Sequence, residues 1–262
     1  MGEPFDFTYI LTFIPKLLST LQITLFIVAG SLLIGMIVGF LIALPRLYQI
    51  PIVQTISKVY ISFFRGTPVL IQLFLFYYGL PELLKLAHLD VSKTPVLAFV
   101  ILTYGLHTGA FMSELIRASV MAVDRGQVEA AYAVGMTGYQ AFVRIIMPQA
   151  LAIAIPVFSN LVIALLKDTS LAFTLGVMEM TGKSQTLGTL TQHFIESYIA
   201  LALIYLVVSF ALEKFLKWLE NGLLQHEQQD TSVRSTRLTL RKNISYRRIV
   251  TEMSTGKGGV DL

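Results

Sequence analysis

The chain has 262 residues, of which 55% are hydrophobic and only 14% charged, with a formal net charge of +4 and a mean hydropathy of +0.69. A water-soluble domain carries about 25% charged residues, so this composition excludes an ordinary soluble core and calls for helices of about 20 residues that cross a bilayer. There is no cysteine, which excludes disulfides, thiolate metal sites and thiol nucleophiles.

The N-terminus, Met1-Gly2-Glu3-Pro4-Phe5-Asp6, is acidic and lacks the basic start of a signal peptide. Residues 1–16 therefore read as an extracytoplasmic N-terminus, and the first apolar run as a retained anchor. Five apolar blocks follow, at about 17–44, 67–84, 95–120, 150–178 and 197–219. They predict an all-α polytopic membrane protein with about five transmembrane helices, occupying residues 17–224. The first block holds Gly35 and Gly39 at the GxxxG spacing that permits close helix approach. Arg65-Gly66-Thr67-Pro68 shapes the start of the second, with proline in its first turn.

Between the third and fourth blocks, at about 122–148, lies a polar stretch punctuated by glycine. Residues 127–136 are rich in helix formers, Gly135 and Thr137-Gly138 allow a sharp reversal, residues 139–147 form a second short helix, and Pro148 opens the next apolar run. A connection without a task needs only a few residues. One of about 25 residues with its own amphipathic pattern reads as a helical docking element at the membrane surface. The fourth block is interrupted by Lys167-Asp168-Thr169-Ser170, where Asp168 or Thr169 is placed to cap a restarted helix. From 225 to 262 the chain is polar and basic and reads as disordered, with Arg241-Lys242 and Arg247-Arg248 suited to anionic headgroups of membrane lipid. The positive charge gathers beside the membrane, which removes the case for nucleic acid.

The docking stretch carries a resemblance. Glu129-Ala130-Ala131, then Gly135, then Ile146 and Pro148 resemble the EAA loop of the membrane subunits of ABC importers. Arg65-Gly66-Thr67-Pro68, the run 113–117, Pro148-Gln149-Ala150 and Lys167-Asp168-Thr169-Ser170-Leu171 are similar to the polar amino-acid permease branch, and residues 173–179 to cystine and related sulfur-compound permeases. The matches cover about residues 15–220. The resemblance implies a permease subunit of the bacterial cell membrane that is not itself an enzyme. Its ATPase-coupling residues are Gln127, Glu129, Ala130, Ala131, Gly135 and Pro148. The implied partners are cytoplasmic ABC ATPase subunits, an extracellular or periplasmic solute-binding protein, and a second permease copy or a paralogue.

The residues agree with a motor supplied in trans. Gly182-Lys183-Ser184 has the ending of a phosphate-binding loop, but Val177 stands where the first glycine belongs, and Gly256-Lys257-Gly258 lacks the Ser or Thr. His88, His107, His193 and His226 show no metal-ligand spacing. No GxSxG elbow is present, so no cofactor, metal or catalytic group is expected. Lys and Arg side chains gather in segments that put the N-terminus outside and the C-terminus in the cytoplasm. The alternative reading is an ion or small-solute channel subunit whose loop is a regulatory docking site.

Polar groups inside apolar helices mark a candidate substrate pathway, because an ionisable residue at mid-bilayer costs about 2.5–3.5 kcal/mol. These are Gln72, His107, Asn160, Glu114, Lys167 and Asp168. A zwitterion needs an acceptor for its ammonium and donors for its carboxylate. Depth along the helices sets Glu114 and Lys167 too far apart to hold one small ligand, which leaves His107 and Asn160 as the central pair with Gln72 nearby. Glu114 alternatively pairs with Arg117 at i, i+3, Lys167 alternatively reaches for the interface, and Asn160 alternatively joins two helices.

Overall fold

The computed structural model describes residues 4–91 and 93–222, so the expectation of a disordered tail at 225–262 lies outside the described residues. Among the described residues the regular structure is helical throughout. In chain order the helices are α1 (Phe7–Leu18), α2 (Leu21–Leu47), α3 (Pro51–Gly66), α4 (Val69–Leu86), α5 (Val96–Met121), α6 (Arg125–Ala133), α7 (Gly138–Leu175), α8 (Met180–Thr191) and α9 (Phe194–Gly222). Five of them, α2, α4, α5, α7 and α9, are long and apolar enough to cross a membrane, as the five blocks predict. Met1–Lys217 form one compact unit; of the second, which begins at Trp218, only residues 218–222 are described.

The centre of the fold is the seam between α2 and α5, which run in the same direction. Gly35 of α2 lies against Thr108 and the Gly105 carbonyl, and Gly39 against Met112 and the Gly109 carbonyl. Facing them, Gly105 meets Ile34 and Gly109 meets Val38 and the Tyr60 hydroxyl. Each helix thus offers a glycine pair at GxxxG spacing, and backbone lies on backbone where a side chain would hold the helices apart. Around this seam Ile27, Val28, Leu73, Val100, Tyr104, Val162, Leu165 and Leu166 form a buried apolar core. A second cluster joins Ile10, Phe13 and Leu17 of α1 to Met180 and Leu187 of α8 and to Ala200, Leu201 and Ile204 of α9.

Besides α6 of the docking stretch, three helices match none of the apolar blocks. α1 lies almost wholly in the stretch 1–16 read only as an N-terminal extension and takes in the first two residues of the first block, Leu17 and Leu18. Asp6 caps it by accepting the Thr8 amide at 2.9 Å and the Thr8 hydroxyl at 2.7 Å. A polar clasp holds it in place: the Asp6 amide donates to Glu196 at 2.8 Å, and the Tyr9 ring stacks on His193 at 3.8 Å. α3 ends at Gly66, and Thr67 and Pro68 are extended before α4 begins at Val69. Pro68 therefore precedes that helix instead of lying in its first turn. α8 starts at Glu179, whose carboxylate accepts the Thr181 amide at 2.8 Å and the Gly182 amide at 2.9 Å.

The docking stretch is a helix and a turn, followed directly by a spanning helix. No separate second helix ends at Met147, because α7 runs unbroken from Gly138 to Leu175. It widens to a π turn at Phe142–Ile146, just ahead of Pro148. Proline has no amide to donate and its ring crowds the preceding turn, and a wider turn accommodates it without breaking the helix. At the polar interruption α7 also continues, tightening to a 3-10 helix over Thr169–Leu175 and stopping at Gly176. Thr169 accordingly restarts nothing; its hydroxyl turns back to the Leu166 carbonyl at 2.7 Å.

Candidate functional site

Gln72 lies on the first turn of α4 and is fully buried. Its amide nitrogen donates to the Phe64 carbonyl at 2.9 Å, the Thr67 carbonyl at 3.0 Å and the Thr67 hydroxyl at 2.9 Å. Its carbonyl oxygen consequently faces His107 Nδ1 at 2.9 Å, so that nitrogen carries the proton. Gln72 thereby ties the α3–α4 corner to α5 and fixes the His107 ring, which also lies 5.0 Å from the Phe111 ring. Arg65 stands over the other end of this group, 5.3 Å from Phe111. Gln72→Leu strips two backbone carbonyls of a buried donor, at about 1–3 kcal/mol for each group left unpaired. A lower melting temperature of the purified subunit in detergent is the expected result, and an unchanged one removes this account of Gln72.

Glu114 is held by two cations, Arg46 from the end of α2 and Arg117 one turn along α5. This triad fastens the parallel pair at the end nearest α6, and the carboxylate is already engaged. Asp168 presents its backbone carbonyl to the Tyr104 hydroxyl at 2.5 Å, joining α7 to α5.

Among the described residues neither Asn160 nor Lys167 forms a hydrogen bond or ion pair with the Gln72–His107 group, which is held by Phe64 and Thr67. On α7 the residues turned toward the core are Ser159, Val162, Leu165 and Leu166, whereas Val157, Asn160, Ala164 and Lys167 form an exposed stripe. Two polar groups and an alanine on a face open at the surface of one subunit are unlike the bulky apolar surface of α9, where Leu203, Leu206, Val207 and Phe210 are exposed.

Sequence reasoning passed over Glu179. It is fully buried, and in addition to its two amides it lies 3.4 Å from the Tyr205 hydroxyl. Burial raises its pKa, while the Thr181 and Gly182 amides and the Thr181 and Tyr205 hydroxyls pull the other way. The signal was an acidic residue at a helix start with Thr181 two positions on, a pattern easily read as an ordinary surface cap.

At the opposite end, α6 is capped by Asp124, whose carboxylate accepts the Gly126 amide at 2.8 Å. Its far end closes with the Gly135 amide donating to the Tyr132 carbonyl at 3.0 Å and the Met136 amide to the Ala131 carbonyl at 3.1 Å, with Gly135 at φ +84°. This is the Schellman arrangement, which needs a left-handed residue at that position. Thr137 and Gln140 then form a capping box that starts α7. Gln127 accepts from Gln149 at 2.6 Å, locking α6 to the base of α7. Ala131 is buried, while Glu129, Ala130, Gly135 and Pro148 are exposed. Beside them Tyr132, Val134 and Tyr139 expose 53%, 76% and 77% of their surface.

Five spanning helices, a glycine-packed parallel pair and a short presented helix at one end define a membrane permease. The family described as "Binding-protein-dependent transport system inner membrane component" matches residues 31–225, and the chain belongs to it. It is the membrane subunit of an ABC importer of the amino-acid branch, a transport component and not an enzyme, and ATP hydrolysis belongs to a partner chain. It is 47% identical over 233 residues to the L-cystine transport system permease protein TcyL of Bacillus subtilis (strain 168), covering 89% of this chain and 98% of the relative. To the nopaline transport system permease protein NocM of Agrobacterium fabrum it is 36% identical over 224 residues, covering 84% and 93%. Among solved structures it is similar to an amino acid ABC transporter determined with histidines, with a TM-score of 0.75 and 30% identity over 84% of this chain and all of that one.

Proposed function

We propose that this subunit imports L-cystine or a related sulfur amino acid, as one of two permease chains that together enclose the pathway. The observation that carries the reading is the presented helix α6. Its Glu129, Ala130, Tyr132 and Val134 are exposed below a bundle in which no nucleotide-binding motif occurs among the described residues, which suits a surface built for an external motor. The sulfur assignment is supported by the 47% identity to an L-cystine permease. In this reading α6 faces the cytoplasm, where ATP is, and α1 and the α8–α9 corner face outward. A solute-binding protein delivers the ligand there. The ATPase subunits close beneath α6, and their movement switches the helices between inward-facing and outward-facing arrangements. The exposed polar stripe of α7 is turned toward the second permease chain, since exposure to lipid would leave Asn160 and Lys167 unpaired at several kcal/mol.

Reconstitution of the complete complex in liposomes tests this. Labelled L-cystine is expected to accumulate only with ATP and the binding protein, and ATP-independent leak would favour a channel instead. Asn160→Ala is expected to lower substrate-stimulated ATP hydrolysis while the complex still assembles. Unchanged stimulation would take Asn160 out of the pathway and leave it a helix-joining residue.

A further inference from the structure

Between α7, α8 and α9 lies an open chamber of about 420 Å³, lined by Lys167, Ser170, Thr181, Tyr198 and Tyr205 over a floor of Leu201 and Ala202. We propose that this chamber holds the carboxylate of the transported amino acid, with Lys167 as the cation that receives it. The inference rests on the reading of the subunit as an amino-acid permease.

Lys167 and Tyr205 lie on α7 and α9, two of the helices long and apolar enough to cross a membrane. Tyr205 is the twelfth residue of α9, about 16 Å along its axis from Phe194. A lysine at that level is stable only beside an anion or in a wet polar site, and among the described residues no carboxylate comes within ion-pair distance of it. The acid that influences it electrostatically, Glu213, is paired with Lys217 at 2.6 Å. Lys167 is thus a charge that the subunit leaves for something else to balance.

The groups around it suit a carboxylate. Ser170 and Thr181 bring hydroxyls able to donate to an oxygen, while the Tyr198 hydroxyl donates to Gln185 and the Tyr205 hydroxyl to Glu179. Thr181 and Tyr205 hold each other loosely, their oxygens 3.4 Å apart. Behind them lies the buried Glu179, 3.4 Å from the Tyr205 hydroxyl. The site therefore has a cation at its mouth and a buried anion reached through a hydroxyl. That polarity fits the two ends of a zwitterion, and the volume falls within the range of about 300–1,000 Å³ common for small-molecule sites. On this account Lys167 and Glu179 set the general demand for an α-amino acid, and Gln72 and His107 are not part of the chamber lining.

The test is direct binding to the purified permease–ATPase complex, comparing L-cystine with cystamine, which keeps the disulfide and both amines but lacks both carboxylates. The wild type is expected to bind L-cystine at least tenfold more tightly. Lys167→Met is expected to weaken L-cystine at least tenfold and leave cystamine unchanged, and Lys167→Arg to restore most of the preference. A preference that survives Lys167→Met overturns the proposal, as does an equal loss for both ligands, which would indicate a structural lysine. Should Lys167→Met fail to assemble, Thr181→Val and Ser170→Ala each remove one hydroxyl of the lining without touching the charge. Each is expected to weaken L-cystine about threefold with cystamine unaffected, and no change in either overturns the proposal. If the wild type binds and imports another amino acid, the sulfur assignment fails, and the same variants are judged with that amino acid and its decarboxylated amine. If it imports none, both readings fall.

Discussion

Replacing Gly109 by leucine is expected to abolish the folded subunit, with full-length protein made but recovered from detergent as aggregate. A β-carbon added there would lie 2.9 Å from Val38 Cγ1 and 3.1 Å from the Tyr60 hydroxyl, and leucine adds three further carbons beyond it. Neither neighbour gives way easily. Val38 belongs to the helix whose own Gly39 already lies so close to Met112 that a β-carbon would come within 2.6 Å of Met112 Cβ. The Tyr60 hydroxyl is held by the Leu106 carbonyl at 2.5 Å. Overpacking a core by a methylene or two costs about 1–3 kcal/mol. Here α2 and α5 must separate along their length. In lipid no hydrophobic effect draws them together again, since association depends on close packing itself. The separation would also pull Arg46 from Glu114 at the end of the seam. Gly66→Ala is the control, because a β-carbon there meets nothing within 4 Å. A monodisperse Gly109→Leu protein with the melting temperature of the wild type would remove the seam from its central place.

How much of this was legible follows from what each feature needs. The five spans are visible because about 20 apolar residues in a row have one physical use in a chain of this composition. α1, α3 and α8 are not, being shorter or mixed in polarity, and their burial depends on neighbours distant in sequence, as in the contact of Phe13 and Leu17 with Met180. The Gly35–Gly39 spacing is plain, but spacing alone does not name a partner, and Gly105 and Gly109 become its counterpart only when α2 and α5 lie side by side. Gln72 and His107 are conspicuous as polar groups in apolar blocks, and the fold brings them within 2.9 Å of each other. Asn160 and Lys167 share a helix face by their spacing, but spacing does not say what that face meets, and the structure shows it exposed on this subunit. Glu179 was hidden for another reason: it lies between apolar blocks, where an acid is ordinary, and only the packing of α8 against α2 and α9 buries it.

The turn at Gly135 was legible in both position and chemistry, and it supports the second large effect. Gly135→Val is expected to leave the subunit inserted and assembled, with ATP still hydrolysed and uptake reduced more than tenfold. The site is exposed and a β-carbon there would meet no atom within 4 Å, so the defect is not a clash with neighbours. It lies in the backbone, which at φ +84° occupies a region that a β-branched residue enters only at a cost of about 1–2 kcal/mol or more. The two closing hydrogen bonds, to Tyr132 and Ala131, depend on that conformation, and relaxing it re-aims the last turn of α6. Val134 and Tyr132, the most exposed apolar groups of the helix, would move with it. The opposite end stays anchored by Asp124 and by Gln127 on Gln149, so the bundle survives while the presented surface changes. The severity is expected to rise from Gly135→Asn, since asparagine tolerates the left-handed region, through Gly135→Ala to Gly135→Val. Liposome assays of ATP hydrolysis and L-cystine uptake on the same preparations would show the ratio of transport to hydrolysis falling in that order. Coupled transport in Gly135→Val at the wild-type ratio would mean that α6 passes no motion to the membrane helices.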